Sequence, residues 1–267
     1  MSNRQTSVYR STIIAALVAI ASFASTGTSG AIDNPTVTRS AISERNASIE
    51  YNIPKAATLG VFQSVAISAA KLPAASKWQN ATRKDYRAFF TSDCKSAGLS
   101  QCDTAFARKA QATLRNATGL TGLAMLRAVN RGINAALPYQ SDEETWNQAD
   151  RWVTMSELSA KGVGDCEDYA IAKYWLLRAM GFPAENLQVV VLADTRRQAF
   201  HAVLVAHHNG GAYVLDNLSN VLRADTSIRN YMPIMSFADG KSYIHGFTTP
   251  TNSVAVNLST VAPGEGF

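Results

Sequence analysis

The clearest helical pattern in the chain covers residues 166–179, where apolar side chains recur at three- and four-residue intervals. The pattern stops before Gly181, which favours helix termination, and Pro183, which cannot continue a helix. Its apolar positions fill adjacent rows of the helix surface rather than one narrow stripe. We therefore expect this helix to be buried at the centre of the molecule.

A second helix is predicted over residues 121–137, because its leucine, valine and isoleucine side chains follow the same spacing until Pro138. A serine followed by three acids at residues 141–144 is typical of another helix start. These patterns predict a helical region before the central helix.

After the central helix, the apolar pattern changes to that of buried strands, with β-branched residues concentrated in short runs. The runs are residues 187–192, 200–206 and 212–217, and a further short strand is predicted at 243–247. The pair Asn209-Gly210 lies between the second and third runs and favours a tight hairpin turn. This order of elements predicts an α+β protein in which an N-terminal helical region packs on an antiparallel sheet.

The predicted hairpin brings His201 and Asp216 to the same face of the sheet. Side chains alternate between faces along a strand, and the turn fixes which residues are partners. With the turn at Asn209-Gly210 the two residues lie one diagonal apart, and with the turn at His208-Asn209 they lie directly opposite. In either register the side chains are within reach of each other, which predicts a histidine–aspartate pair.

The chain has three cysteines. Cys94 and Cys102 are eight residues apart in a polar loop, and we expect them to form a disulfide. Cys166 is then left unpaired at the start of the central helix, where the helix N-terminus favours a thiolate. A buried, inert thiol is the alternative interpretation.

Cys166, His201 and Asp216 together supply a thiol nucleophile, a general base and a group that orients the base. Each residue alone is more often structural, as a small core residue, a core histidine or a strand-end aspartate. Their combination predicts a catalytic triad and acyl-transfer chemistry through a thioester.

Three carboxylates flank the cysteine, at Asp165, Glu167 and Asp168. Acids at a helix start can act simply as caps and as favourable partners of the helix dipole. Around a catalytic thiol, however, they raise its pKa unless a cation neutralises them. Clustered carboxylate oxygens suit a hard ion, so we predict a calcium site at these three residues.

Residues 1–31 have the three parts of a secretory signal peptide: arginines, an uncharged apolar run and a zone of small residues. Cleavage after Ala24 and cleavage after Ala31 both fit this pattern, and an uncleaved anchor helix is the alternative. The apolar run is short for a membrane span, which needs about 20 residues. We therefore expect a periplasmic or secreted protein.

We expect residues 32–80 to form a linker and N-terminal arm, 81–247 the folded domain and 248–267 a flexible tail. The net charge is +5, and lysine and arginine are scattered without forming a basic block. This distribution predicts an ordinary solvated surface and no nucleic-acid partner.

The region from residue 126 to 247 resembles the bacterial transglutaminase-like cysteine proteinases. The stretches that carry the resemblance are Gly164-Asp165-Cys166-Glu167-Asp168-Tyr169-Ala170-Ile171-Ala172-Lys173-Tyr174, His201-Ala202-Val203-Leu204 and Val214-Leu215-Asp216-Asn217-Leu218. The resemblance implies a papain-like, transglutaminase-type core, with the triad and the calcium ligands at the residues named above. It also implies a protein substrate, because family members cleave large surface adhesins. A membrane receptor that responds to cyclic di-GMP, which holds some members inactive, is the implied regulatory partner.

These observations favour a calcium-dependent periplasmic cysteine endopeptidase. Two alternatives stay open. In a transglutaminase-type acyl transferase, an amine rather than water resolves the thioester. In a calcium-stabilised binding module, the thiol has no chemical role.

Overall fold

The structure is a computed structural model that describes residues 59–247 and 257–265. The predicted signal peptide and the first part of the predicted arm lie outside the described residues. Within the two described ranges, no helix combines the length and the apolar character needed to cross a membrane.

The fold consists of helices packed against one antiparallel sheet. The helices are α1 (Ala75–Ala81), α2 (Ala105–Ala117), α3 (Gly122–Ala136), α4 (Asp142–Trp146), α5 (Met155–Lys161) and α6 (Cys166–Ala179). The strands are β1 (Val65–Ser68), β2 (Leu187–Asp194), β3 (Ala199–His208), β4 (Gly211–Asp216), β5 (Ser219–Ala224), β6 (Tyr231–Ala238) and β7 (Lys241–Gly246). The predicted α+β class is therefore confirmed.

The seven strands form one sheet in the order β1-β7-β6-β2-β3-β4-β5, with antiparallel neighbours throughout. In the β3–β4 hairpin, His208 pairs with Gly211 and Leu204 with Leu215. The turn therefore lies at Asn209-Gly210, the first of the two registers that the sequence allowed.

Helix α6 is buried from Cys166 to Leu177, as its apolar pattern predicts. It packs on β3 and against α3. The alternating residues of β2 divide between two cores. Val189 and Val191 belong to the large helical core, and Val190 belongs to a smaller core on the opposite face.

The predicted N-terminal arm contributes to the folded domain. Strand β1 pairs with β7, and Trp78 on α1 is buried in the large core. Val61 and Phe62 cover the smaller core. Residues 59–80 were assigned to the arm because they lack a clear apolar period; pairing and packing with distant residues order them instead.

Part of the segment predicted as a flexible tail contacts the folded domain. Residues 257–265 lie against the domain, with Val261 buried in the large core. Gly264 and Glu265 form main-chain hydrogen bonds with Phe200 on β3. Residues 248–256 and 266–267 lie outside the described residues.

The predicted disulfide is present. Cys94 and Cys102 are bonded, with Cα atoms 6.0 Å apart, and both residues are buried. Cys166 is a free, buried cysteine.

Candidate active site

Cys166 is positioned by a short helix, a glycine loop and the start of α6. Thr154 and Glu157 form a reciprocal capping box at the start of α5, and α5 ends at Gly162 in a left-handed conformation. Gly164 then pairs with Tyr139 in an isolated bridge. A Cβ at Gly164 would lie 2.6 Å from Asp168 Oδ2, so only glycine fits between this loop and α6.

His201 and Asp216 are hydrogen-bonded across the β3–β4 hairpin, with 2.9 Å between His201 Nε2 and Asp216 Oδ1. Both side chains are buried. Because the register pairs Leu204 with Leu215, the two residues lie one diagonal apart. The bond to Asp216 uses Nε2, so Nδ1 is the ring nitrogen that remains for a second partner.

Asp216 has two further hydrogen-bond donors. The Tyr231 hydroxyl donates to Oδ2 at 2.7 Å, and the Leu218 main-chain N–H donates to Oδ1 at 2.9 Å. Burial opposes ionisation of this carboxyl, but the hydrogen bonds, with that from His201 the strongest, lower its pKa to about 2. Asp216 is therefore held as a carboxylate and fixed at both oxygens.

Cys166 and His201 line the same cavity, which has a volume of about 170 Å³. Tyr139, Arg197 and Gly264 also line it. The hairpin thus brings the histidine–aspartate pair to the start of α6, as the proposed triad requires.

The Cys166 thiol lies 3.4 Å from Glu167 Oε2 and donates its hydrogen bond to that oxygen. Burial raises the pKa of the thiol well above its usual value, and the nearby Asp165 carboxylate raises it further. The main-chain N–H of Ala202 on β3 acts in the opposite direction, because it can donate to the thiolate. With the acids unneutralised, the site therefore favours the neutral thiol.

A group of buried acids lies directly beside the thiol. Asp142, Asp165 and Glu167 each offer a carboxylate oxygen, and these oxygens lie within 4.8 Å of one another. Asp165 occupies the N-cap position of α6, yet its side chain makes no capping hydrogen bond. That geometry argues against the interpretation of Asp165 as a helix cap. We call these three residues the acid group.

Two oxygens of the acid group lack the partners that buried carboxylates normally have among the described residues. Asp165 Oδ1 and Glu167 Oε1 are buried without a hydrogen bond among the described residues. Burial raises the pKa of Asp165 to about 8 and that of Asp142 to about 6, and it raises that of Glu167 well above its usual value. Buried oxygens without donors fit a bound cation, which would supply the missing charge and ligands.

Asp168, predicted as a calcium ligand, is not brought into the acid group. Its carboxylate is buried, and neither oxygen makes a hydrogen bond of normal geometry within the part of the chain that the structure describes. Burial raises its pKa, and the nearby main-chain N–H groups of Val153 and Asp165 offset that effect only in part. Its role as a ligand stays a prediction.

The sequence-based interpretation missed Asp142, which the structure brings into the acid group. Asp142 is the first residue of α4, and the main-chain N–H of Arg151 donates to its Oδ2. Glu143 and Glu144 follow it in the same acidic turn and are exposed. Nothing local in the sequence distinguishes the one buried acid of this turn from its two exposed neighbours.

Two tyrosines and an arginine of the site were also not predicted. Tyr139 and Arg197 line the cavity, and Tyr231 binds Asp216. The only available signal for Tyr231 was its position on a strand. The strand order places β6 next to β2 and not next to the β3–β4 hairpin, so this signal did not connect Tyr231 with Asp216.

The chain matches the family model of bacterial transglutaminase-like cysteine proteinases over residues 86–244, more than half of its 267 residues. It therefore belongs to this family, and the resemblance found in the sequence is confirmed.

Among solved structures, Legionella pneumophila LapG is similar, at 25% identity over 52% of this chain and 79% of that chain, with a TM-score of 0.46. Its calcium-bound form matches at 23% identity over 61% of this chain and 87% of that chain, with a TM-score of 0.48. No curated protein sequence matches the chain.

Proposed function

We propose that this transglutaminase-like cysteine proteinase is a calcium-dependent endopeptidase whose triad is Cys166, His201 and Asp216. The observation that carries the proposal is the geometry of one cavity. The free thiol and the imidazole line it together, and the imidazole is fixed from behind by a triply hydrogen-bonded carboxylate. Such an arrangement is what thiol-based acyl transfer requires.

In the proposed reaction, His201 takes the thiol proton and the sulfur of Cys166 attacks the carbonyl carbon of a peptide bond. His201 returns the proton to the amine as the C–N bond breaks, which leaves a thioester on the sulfur. Water, deprotonated by His201, then adds to the thioester, and the acid product and the thiol are released. Asp216 keeps the imidazole oriented and stabilises its protonated form.

We propose that calcium is held by Asp142, Asp165 and Glu167, with Asp168 as a further ligand. Carboxylate oxygens are the ligands that calcium prefers. When bound, the ion would neutralise the Asp165 carboxylate, which adds to the effect of burial in raising the pKa of the thiol. Glu167 would be one of the residues that hold the ion and would then no longer accept the hydrogen bond of the thiol, which would leave the thiol proton to His201.

The location and partners of the protein are proposed from the sequence and the family resemblance. The signal-peptide pattern of residues 1–31 supports export to the periplasm or beyond. Family membership supports a protein substrate. We propose a large surface adhesin as that substrate and a membrane receptor for cyclic di-GMP as the regulator, both on the resemblance alone.

The test compares surface proteins released from cells that carry the wild-type protein, Cys166→Ala or His201→Ala, each with and without a calcium chelator. We expect cleaved fragments only with the wild-type protein and calcium. Mass spectrometry of the products separates the alternatives, because hydrolysis creates new termini and an acyl transferase creates crosslinks. Full release of fragments by Cys166→Ala would refute the proposal and leave the binding module.

A further inference from the structure

Strand β3 has an open edge beside His201. The β4 strand pairs with β3 from His208 to Leu204, and the chain then leaves β3 at Asp216 to form β5. Strand β3 itself continues to Ala199. Its main-chain groups at this end are therefore not paired with β4, and such an edge is a template for another segment.

Residues 264 and 265 of the chain occupy that edge. The Gly264 main-chain N–H donates to the Phe200 carbonyl at 2.9 Å, and the Phe200 N–H donates to the Glu265 carbonyl at 2.7 Å. The two bonds run in opposite directions and go to two successive residues, which is the pattern of a β-bulge in antiparallel pairing rather than of a regular ladder. Phe200 directly precedes His201, so this contact lies at the cleft itself.

Apolar contacts hold the segment 257–265 in place. Val261 is 7% exposed and belongs to the large core, and Leu258 packs against that core. Pro263, next to the cleft, is buried as well. The segment is therefore packed into the domain and does not rest on the two main-chain bonds alone.

The segment closes the approach to the thiol. Gly264 lines the cavity that holds Cys166 and His201, and these two side chains are each only 2% exposed. A Cβ at Gly264 would lie 3.4 Å from the Tyr139 hydroxyl and 3.7 Å from Asp165 Oδ2. A protein substrate that reaches Cys166 along β3 would meet the segment first.

The segment is held in a turn rather than as an extended strand. The Glu265 N–H donates to the Ala262 carbonyl at 3.1 Å, and Gly264 has a φ of +91°. Proline followed by a residue of positive φ is the arrangement of a type II turn. The backbone therefore folds back beside the thiol instead of passing it in the extended form that a strand edge binds.

We propose that residues 257–265 act as an inhibitor within the chain, which occupies the substrate-binding edge of β3 and must leave before a protein substrate binds. The inference rests on the proposed protease function for the identity of that substrate. The blocking of the thiol rests only on the contacts above.

The test weakens the turn in the full chain and measures access to the thiol. Gly264→Ala adds a Cβ at positive φ, which destabilises the turn. The equilibrium between the segment bound at β3 and the segment dissociated from it then shifts toward dissociation by about 10-fold. We expect alkylation of Cys166 by iodoacetamide to become about 10-fold faster, and KM for a protein substrate to fall with little change in kcat. Pro263→Gly, which loosens the same turn, is expected to act in the same direction.

Gly240→Ala is the matched control. Gly240 has a φ of +69° with open space around it, in the turn between β6 and β7. The Gly240→Ala variant has the same kind of backbone strain at a position away from the cleft. We therefore expect Cys166 in this variant to be alkylated at the wild-type rate. A synthetic peptide of residues 257–265, added to Gly264→Ala, is expected to slow alkylation again.

Equal alkylation rates in the wild type and in both turn variants would overturn the inference. Cys166-dependent loss of the residues after Gly264, seen in the intact mass, would also overturn it, because the segment would then be a substrate. Alkylation of Cys166 requires no hydrolysis, so the experiment can refute the inhibitory segment and the protease function independently of each other. Faster alkylation without any proteolysis would count against the protease function only.

Discussion

The two sides of Cys166 hold their buried charge in opposite ways. On the hairpin side, Asp216 accepts hydrogen bonds from His201, Tyr231 and Leu218, and its pKa is lowered to about 2. On the other side, one oxygen each of Asp165 and Glu167 is buried without a donor from residues 59–247 or 257–265, and burial raises the pKa of both carboxyls.

This difference separates a buried carboxylate that the protein itself supplies with hydrogen-bond donors from buried carboxylates that still need a partner. An isolated buried carboxylate is so unfavourable that it takes up a proton or pairs with a cation. The hairpin side is preorganised by the protein. The acid group is a set of buried carboxylates that could hold a metal ion and whose protonation depends on pH.

The largest expected effect is that of calcium on the acid group. At a concentration about 1,000 times its Kd, a ligand specific for the native state stabilises it by about 4 kcal/mol. For a domain of this size that corresponds to a rise in Tm of about 10 °C. In Asp142→Asn, which removes one ligand charge, we expect a calcium-induced shift several degrees smaller, measured by thermal unfolding with calcium and with a chelator.

Glu143→Gln is the control for that experiment, because Glu143 is the exposed neighbour of Asp142 in the same acidic turn. It changes the net charge by the same amount without touching the acid group. A calcium shift reduced equally in both variants would mean that the effect is general electrostatics rather than ligation. No calcium shift in the wild type would contradict the metal site.

The second prediction concerns Lys173, a buried cation of α6 whose Nζ has no hydrogen bond among the described residues. Burial lowers its pKa from 10.5 to about 7, and the Asp216 charge opposes this only in part. Between these pH values the unfolded chain binds more protons, so stability rises with pH across the window. A shift of this size corresponds to roughly 5 kcal/mol in all, of which about 3 kcal/mol falls between pH 7 and pH 9.5.

Lys173→Met is expected to remove that part of the pH dependence. The measurement is the free energy of unfolding by urea at pH 7 and pH 9.5, with calcium saturating so that the acid group does not titrate. Lys109→Met on α2 makes the same change at an exposed position and should retain the wild-type slope. Parallel curves for wild type and Lys173→Met would contradict the assigned pKa.

The third prediction weakens the hairpin side. Tyr231→Phe removes the donor to Asp216 Oδ2, and losing a hydrogen bond to a buried charged group costs about 2 kcal/mol. The pKa of Asp216 then rises toward its usual value. A carboxyl with a lowered pKa stabilises the fold above its unfolded pKa and loses that contribution as pH falls. The variant should therefore lose stability at a higher pH than the wild type does.

Urea unfolding at pH 7 and pH 3 measures both parts of this effect. Tyr243→Phe is the control, since three strands separate β7 from β4 in the sheet order. If the two variants are equally stable at both pH values, the Tyr231 hydroxyl does not hold Asp216.

The comparison of the hairpin side with the acid group also explains how much of the site the sequence predicts. His201 and Asp216 were predictable because strand alternation fixes the face and the Asn209-Gly210 turn fixes the register. Both rules act over a few residues. Cys166 was predictable because helix-start and cysteine-pairing signals are equally local.

Asp142 and the segment 257–265 depend on contacts between distant parts of the chain. Asp142 lies beside Asp165 and Glu167 because of the course of the chain between α4 and α6. The apolar pattern of the sequence does not predict that course. The segment 257–265 lacks an apolar period, and single residues such as Val261 anchor it. Tertiary packing decides such positions, so Asp165 and Glu167 were predictable from the sequence, whereas Asp142 and the segment 257–265 were not.

The smallest expected effect tests how the hairpin side is supported from behind. Asn134 Nδ2 on α3 donates to the Asp216 carbonyl at 2.9 Å and also reaches Asn220 Oδ1 at 3.0 Å. Asn134→Ala should cost about 1 kcal/mol, the usual value of one hydrogen bond. It should also lower kcat more than KM, because the main chain of Asp216 loses its tie to α3. Asn220→Ala removes only the exposed partner and should leave kcat unchanged. Equal kcat in both variants would show that the hydrogen bond from Asn134 does not help to position the Asp216 carboxylate, and that α6 and the sheet position it without α3.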